Sequence, residues 1–126
     1  MPPLDLDQYT WSHRPLLIFA THENLSALDE QRRRLTGQNA ALADRKMVVI
    51  EVIGNRVTVY GQDHDIDPAA LKMRYGIDES QTFAVLLVGK DTGVKLRRAQ
   101  PVAMDEVFGL IDSMPMRRRE MRERSE

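Results

Sequence analysis

The sequence predicts a single α/β domain whose elements follow the order β-α-β-(β)-α-β-β-α. Two observations carry this prediction. Three apolar runs, at 16–20, 47–53 and 83–88, do not alternate, and only Glu51 interrupts them, as in strands that are covered on both faces. The segments between these runs place their apolar residues at helical spacing instead. A chain of 126 residues, 42% of them hydrophobic, is long enough to bury one such core.

The polar stretch 21–24 separates the first strand from a helix whose leucines recur at helical spacing. Ser26 and Asp29 resemble a capping box at the start of this helix, with Asp in place of the usual Glu or Gln. Gly37 is expected to kink or end the helix, and residues 40–44 to add one further turn.

The second strand is rich in β-branched residues and leads into the turn Gly54-Asn55. Val57, Val59 and Tyr60 predict a short extra strand that forms a hairpin with it.

The next helix is expected to begin at Asp67-Pro68, because Asp accepts hydrogen bonds from free N–H groups and Pro lacks the N–H that would be unsatisfied. Leu71 and Tyr75 share one face of this helix, and Gly76 can adopt the left-handed conformation that ends it.

The third strand is expected to turn through five residues into a final strand at 94–98. Alternation places Val94 and Leu96 toward the core, and Lys95 and Arg97 toward solvent. Such positive charge is typical of a protected sheet edge.

An amphipathic helix follows, with apolar residues at i, i+3, i+4, i+7 and i+10. These residues are Met104, Val107, Phe108, Ile111 and Met114. Pro115 is expected to stop the helix, and a solvated helical tail follows in which Glu120 pairs with Arg124. The predicted organisation is an N-terminal extension at 1–13 that packs on the domain, a domain at 14–114 and a charged tail at 115–126.

This order of elements is that of the thioredoxin fold. Active members carry a cysteine in the loop after the first strand, where a helix N-terminus lowers the pKa of the thiol. Here residues 19–24 contain no sulfur, and the chain has no cysteine. The segment 78–83, which leads into the third strand, contains no proline. The sequence therefore excludes thiol–disulfide exchange and thiol peroxidase activity, and no cofactor is expected.

The same loop is still the first candidate for function. Thr21, His22 and Glu23 lie at a predicted helix N-terminus that could hold a carboxylate or phosphate, although ordinary solvated loop residues would look the same. An alternative is a cysteine-independent enzyme in which His22 is the base and Glu23 orients it. No catalytic residue is assigned beyond this alternative.

Further candidate binding residues are Lys90, in the predicted hairpin turn, and Arg117, Arg118 and Arg119 in the tail. The expected partner is an unknown protein or a small anionic ligand. A net charge of -1 argues against nucleic acid, although the arginine tail keeps it as a third alternative. The run at 63–67 lacks the glycine of a calcium loop, and the three histidines are scattered, so no metal site is expected.

No apolar run approaches the roughly 20 residues that cross a bilayer. Residues 1–5 lack the features of a signal peptide. The chain is expected to be soluble, and either cytoplasmic or, if an upstream signal was removed, periplasmic or exported. The oligomeric state is left open.

Both ends of the chain resemble the DUDES family. The segments that carry the resemblance are LDL…YTWSHRPLLIF at 4–19, VGKDTGVKL at 88–96 and IDSMPMR…EM at 111–121. Membership implies a peroxiredoxin-like domain of unknown function that has lost its active cysteine, and it supplies no catalytic residue. Bacterial members are small and often exported, and this chain resembles one of them. Animal relatives carry the domain inside matrix proteins such as equarin and the sushi-repeat proteins. The resemblance implies a non-catalytic binding or structural module.

Overall fold

The computed structural model describes residues 9, 11–60, 62–63, 66–78 and 80–125. Its strands are β1 (Arg14–Ala20), β2 (Met47–Ile53), β3 (Arg56–Val59), β4 (Gln62–Asp63), β5 (Phe83–Val88) and β6 (Val94–Arg98). Its helices are α1 (Leu25–Leu35), α2 (Asn39–Asp44), α3 (Pro68–Arg74), α4 (Met104–Asp112) and α5 (Pro115–Ser125), with a 3₁₀ turn at His22–Asn24 before α1. The predicted α/β class, the extra strand β3 and the helical conformation of the tail are confirmed. The expectation that the tail is solvated is wrong for one face of α5, where Arg117 is buried.

The six strands form one mixed sheet in the order β4-β3-β2-β1-β5-β6. β1 is parallel to β2 and antiparallel to β5, and the remaining pairs are antiparallel. Leu17 of β1 lies between Ile50 and Leu86 of its neighbours. One central parallel pair flanked by antiparallel strands is consistent with a thioredoxin-like fold.

Helices cover both faces of the sheet, which explains the continuous apolar runs. Leu16 and Ile18 of β1 join the core beneath α1, α2 and α4, whereas Leu17 and Phe19 join the core beneath α3. Because successive side chains of a strand point to opposite faces, a strand in this position needs an apolar residue at every place.

The predicted start of α3 is confirmed, but that of α1 is wrong. Asp67 caps α3, its Oδ1 accepting from the N–H of Ala69 at 3.0 Å. No capping box forms at Ser26 and Asp29: the Ser26 hydroxyl donates to the side chain of Asn24 at 3.3 Å, and α1 begins without a side-chain cap. Thr21 instead caps the preceding 3₁₀ turn, which starts the helical segment three residues earlier.

The inward orientation predicted for Val94 is also wrong. Leu96 is buried opposite Leu87, but the register then shifts so that Val94 lies opposite Val88 and Lys95 becomes an additional residue. This bulge turns Val94 to the other face of the sheet, where its side chain is 41% exposed.

The C-terminal region turns between two helices. α4 ends at Asp112 and buries Met104, Val107, Phe108 and Ile111 as predicted. Pro115 is the first residue of α5, a position where its missing N–H costs nothing. The predicted Glu120–Arg124 pair involves a side chain that lies outside the described residues. No helix in the described ranges is long and apolar enough to cross a membrane.

A buried glutamine ties α1 to the segment that precedes α4. The Gln31 side chain is completely buried, its Oε1 accepts from the N–H of Val102 at 2.8 Å, and its Nε2 donates to the carbonyl of the same residue at 3.2 Å. These two hydrogen bonds pair the backbone N–H and carbonyl of Val102, which lies outside every strand and helix.

We expect Gln31→Leu to lower the free energy of unfolding by about 2 kcal/mol, because both backbone groups of Val102 would be buried without partners. Chemical denaturation measures this loss. Gln100→Leu, at an exposed position near the same segment, is the control and should change stability by less than about 0.5 kcal/mol. Equal effects of the two substitutions would contradict the role given to Gln31.

Candidate functional site

The loop that follows β1 lies at the carboxyl ends of the parallel strands β1 and β2, beside the start of β5. The Thr21 N–H donates to the carbonyl of Thr82, just before β5, at 3.0 Å. The Gly54 N–H donates to the carbonyl of Ala20 at 3.2 Å. The loop is therefore held between the β2–β3 turn and the segment that enters β5.

The predicted residues Thr21, His22 and Glu23 are brought together in one turn of 3₁₀ helix. Thr21 Oγ1 accepts from the N–H of Glu23 at 3.3 Å, and the Asn24 amide donates to Thr82 Oγ1 at 3.3 Å. The side chains of His22 and Glu23 are exposed. The turn thus has a fixed backbone and presents an imidazole and a carboxylate to solvent.

The imidazole of His22 lies against the β2–β3 turn. A Cβ atom built on Gly54 would be 3.3 Å from His22 Nε2. Gly54 has a φ of 59°, and its carbonyl accepts from Lys72 Nζ at 3.0 Å. Across the described residues, no side-chain hydrogen bond holds His22 or Glu23. The two groups are adjacent, but they do not form an oriented acid–base pair.

The other predicted binding residues lie elsewhere. Lys90 and Arg117 are at the opposite end of the sheet, and their side chains are only 9% and 3% exposed. Both are paired with acidic groups of the chain itself. Arg118 and Arg119 are exposed on the outer face of α5 and make no ion pair within the described ranges. The structure therefore divides the predicted residues between two ends of the molecule.

The groups around Lys90 and Arg117 form a network that the sequence did not reveal. We call it the basal ion cluster, and its members are Arg14, Asp44, Arg45, Lys90, Asp112, Arg117 and Glu120. It joins the start of β1, the α2–β2 turn, the β5–β6 turn, the end of α4 and the inner face of α5.

Arg117 fastens α5 to two other elements. Its Nη2 is 2.7 Å from Asp44 Oδ2, its Nη1 donates to the carbonyl of the same residue at 2.8 Å, and its Nε is 3.1 Å from Asp112 Oδ1. Arg45 contacts the same Asp112 at 2.9 and 3.1 Å while its guanidinium lies 4.4 Å from the ring of Phe108. The contacts of Arg117 dock α5, and the bidentate pair between Arg45 and Asp112 joins the end of α4 to the α2–β2 turn.

Arg14 is buried at the start of the central strand, with 1% of its side chain exposed. Its Nη1 donates to the carbonyl of Arg45 at 2.8 Å, and its Nη2 is 3.2 Å from Glu120 Oε1. In sequence it stands before Pro15 and an apolar run. The only signal for its role is a charged residue at a position where the strand is covered on both faces.

Two carboxyl groups of the cluster, Asp112 and Glu120, have lowered pKa values. Burial raises the pKa of Asp112, but hydrogen bonds from Arg45 and Arg117 more than offset it and leave that pKa below its usual value. Burial likewise raises the pKa of Glu120, and hydrogen bonds from Lys90 and Arg14 bring it below its usual value. Both carboxylates therefore contribute to the fold only while they are ionised.

A separate open groove lies between the α1–α2 segment and β2. Its volume is about 470 Å³, and Leu35, Leu42 and Val49 contribute its apolar wall. Tyr60 borders it with 56% of its side chain exposed, and its hydroxyl donates to the carbonyl of Met47. This groove could not be predicted from the sequence, because its walls come from distant segments.

The part of the chain that the structure describes contains no group of three or more His, Asp or Glu side chains that could hold a metal ion. Within the acidic run considered above, His64 and Asp65 lie outside the described residues.

Gly54→Ala is expected to destabilise the fold by about 1 kcal/mol and to displace His22, because the new methyl group meets the imidazole and the left-handed φ disfavours alanine. Thermal melting and the NMR shifts of the His22 ring measure the two effects. Gly76→Ala is the control, since its φ is 69° and no atom lies within 4 Å of the added methyl. It should lose similar stability without moving the His22 resonances. A shift of the ring signals in both variants would contradict the contact.

Acid is expected to weaken the basal ion cluster. A carboxyl whose pKa is lower in the folded chain stabilises it fully above the unfolded pKa of about 4, and this contribution is lost as the pH falls through the folded pKa. Asp112→Asn should therefore show a smaller drop in Tm between pH 7 and pH 3 than the wild type. Asp105→Asn, at an exposed position of α4, should retain the wild-type drop. Identical drops in all three proteins would contradict the ion pairing of Asp112.

The chain is similar to a known protein family and to a known protein over most of its length. Residues 5–120 match the family described as "Domain of unknown function (DUF4174)". The chain is also similar to the coiled-coil domain-containing protein 80 of Danio rerio, at 30% identity over 133 residues. That match covers 92% of this chain but 15% of the relative's length. No solved structure matches the chain significantly. Because the family match extends over nearly the whole sequence, the chain belongs to the DUF4174 family.

Proposed function

We propose that this chain is a non-catalytic thioredoxin-like module that binds a protein or a small anionic ligand through the loop after β1 and has no thiol redox activity. The proposal rests on the backbone conformation and the exposed side chains of that loop. The loop keeps a fixed backbone at the carboxyl end of the sheet, but it presents His22 and Glu23 in place of a sulfur nucleophile.

Thiol chemistry needs a thiolate, and none of the 126 residues can supply one. The fold supports the loop without any such group, because Thr21 caps the turn and its N–H pairs with the carbonyl of Thr82. Such a scaffold suits the presentation of side chains to a partner.

The exposed groups of the loop are available for contact. Within the described ranges, neither the His22 imidazole nor the Glu23 carboxylate makes a hydrogen bond. Binding residues are commonly found on loops that a rigid scaffold positions. The β2–β3 turn lies against one side of the His22 ring, so a partner would contact the ring from its exposed side.

The comparisons support a modular role. A domain that matches only 15% of a longer relative acts there as one part of a larger protein. The resemblance to the DUDES family, whose domain has lost its active cysteine, also supports a non-catalytic module. Arg118 and Arg119 supply a second, positively charged surface for the proposed module.

The alternative is a cysteine-independent enzyme that uses His22 and Glu23. Catalytic bases are usually oriented by a hydrogen bond to a third group. At this loop the described residues provide no such bond, so the binding module is the better supported function. A hydrolase screen in which His22→Ala lowers turnover at least tenfold would instead support the enzyme.

The binding proposal is tested by replacing His22 and Glu23 together with alanine and measuring capture of partners from native extract. We expect captured partners to fall at least tenfold, while Tm changes by less than about 2 °C because both side chains are exposed.

The matched control is Asp29→Ala with Arg33→Ala, which removes one acid and one base from the outer face of α1. It should capture partners as the wild type does, since the exposed pair between Arg33 and Glu30 contributes little to stability. Equal capture by both double variants would remove the loop from the proposed function.

A further inference from the structure

We propose that Arg14, Lys90 and Arg117 form a binding site for a small tetrahedral oxyanion, phosphate or sulfate, which the Glu120 carboxylate fills as a tethered ligand. The site is at the amino end of β1, a strand length of about 20 Å from the loop after it. It is separate from the surface in the proposed function, and the two proposals can fail independently.

Three cations converge on one carboxylate. Glu120 Oε1 is 3.2 Å from Arg14 Nη2 and pairs with Lys90 Nζ, and Glu120 Oε2 is 3.8 Å from Arg117 Nη1. The basal ion cluster as a whole contains four cations and three carboxylates. A dianion in the place of Glu120 would therefore balance the excess positive charge.

The cations are too deeply buried to rely on water. Their side chains are 1%, 9% and 3% exposed for Arg14, Lys90 and Arg117 respectively. Without Glu120, Arg14 and Lys90 would have no acidic partner among the described residues, and an unpaired charge in such a place is strongly unfavourable, so the site requires an anion whether or not Glu120 supplies it.

The guanidinium groups of Arg14 and Arg117 are held by other groups besides Glu120. Arg14 is also held by the carbonyl of Arg45, and Arg117 by Asp44 and Asp112. Lys90 belongs to the β5–β6 turn, where its carbonyl accepts from the N–H of Trp11 at 2.7 Å. The framework of the fold therefore places Arg14, Arg117 and the backbone of Lys90, and α5 supplies both Arg117 and the carboxylate of Glu120.

Two openings lead to the site. A cavity of about 250 Å³ is lined by Arg14 and Lys90, with Met114 and Met116 on its apolar side. On the other side, Arg117 and Glu120 line a groove of about 460 Å³. Glu120 is 22% exposed, so rotation of its side chain toward the groove would free the cations without undocking α5.

The test is Glu120→Gln, which keeps the shape of the side chain and removes its charge. At constant ionic strength, inorganic phosphate should raise the Tm of this variant saturably, by about 5 °C at ten times the dissociation constant. Sulfate is expected to act in the same way. The wild type should need at least tenfold more phosphate for the same shift, because its own carboxylate competes for the site.

Two control variants locate the effect. Glu123→Gln removes an exposed carboxylate from the same helix and should behave as the wild type does. Lys90→Gln combined with Glu120→Gln should bind phosphate at least tenfold more weakly, because one charge-assisted hydrogen bond is lost.

The proposal is overturned if Glu120→Gln shows no saturable response to either anion, or if the wild type responds equally. Should this variant fail to fold in chloride, phosphate-dependent refolding supports the site. Without such refolding, Glu120→Asp decides the matter, since it keeps the charge but withdraws it by one methylene. A saturable phosphate shift in Glu120→Asp supports the proposal, and none overturns it.

Discussion

The central strand β1 is the constraint on which the rest of the structure depends. All seven of its residues are buried, and it is hydrogen bonded on one side to β2 and on the other to β5. A strand in this position needs cover on both faces, so α1, α2 and α4 must lie on one side and α3 on the other. The positions of both candidate sites follow, because they lie at its two ends.

The two ends of β1 are stabilised by different physical means. At the carboxyl end, backbone hydrogen bonds from Thr21 and Gly54 hold a loop whose side chains are exposed. At the amino end, Arg14 continues the buried strand with a charge, and that charge requires acidic partners. Burying ions is costly, and it is tolerated here because each guanidinium makes several charge-assisted hydrogen bonds. The first end is suited to display groups, and the second to hold an anion.

Much of the fold could be predicted from periodicity, because continuous apolar runs and helical spacing reflect burial directly. The start of α3 at Asp67-Pro68 could also be predicted, since capping is a local interaction. The failures involve competition between local and tertiary effects. The capping box predicted at Ser26 does not form, because an earlier turn capped by Thr21 precedes the helix. At Val94, a bulge turns the side chain to the other face of the sheet.

Within the candidate site, the loop at 21–23 could be predicted because it follows a strand. The partners of Lys90 and Arg117 could not, since Asp44, Asp112 and Glu120 are distant in sequence.

By itself, the sequence determined the α/β class, the order of the elements and the absence of a thiol from every position of the chain. These properties depend on residue types and their spacing, which can be read along one dimension. Only the tertiary structure decided which charged side chains are exposed and which are buried in ion pairs. Among neighbouring arginines of α5, Arg117 is buried in ion pairs while Arg118 and Arg119 face solvent. Their sequence context is almost the same, and the difference arises because a helix turns each successive residue by about 100° relative to the surface on which it docks.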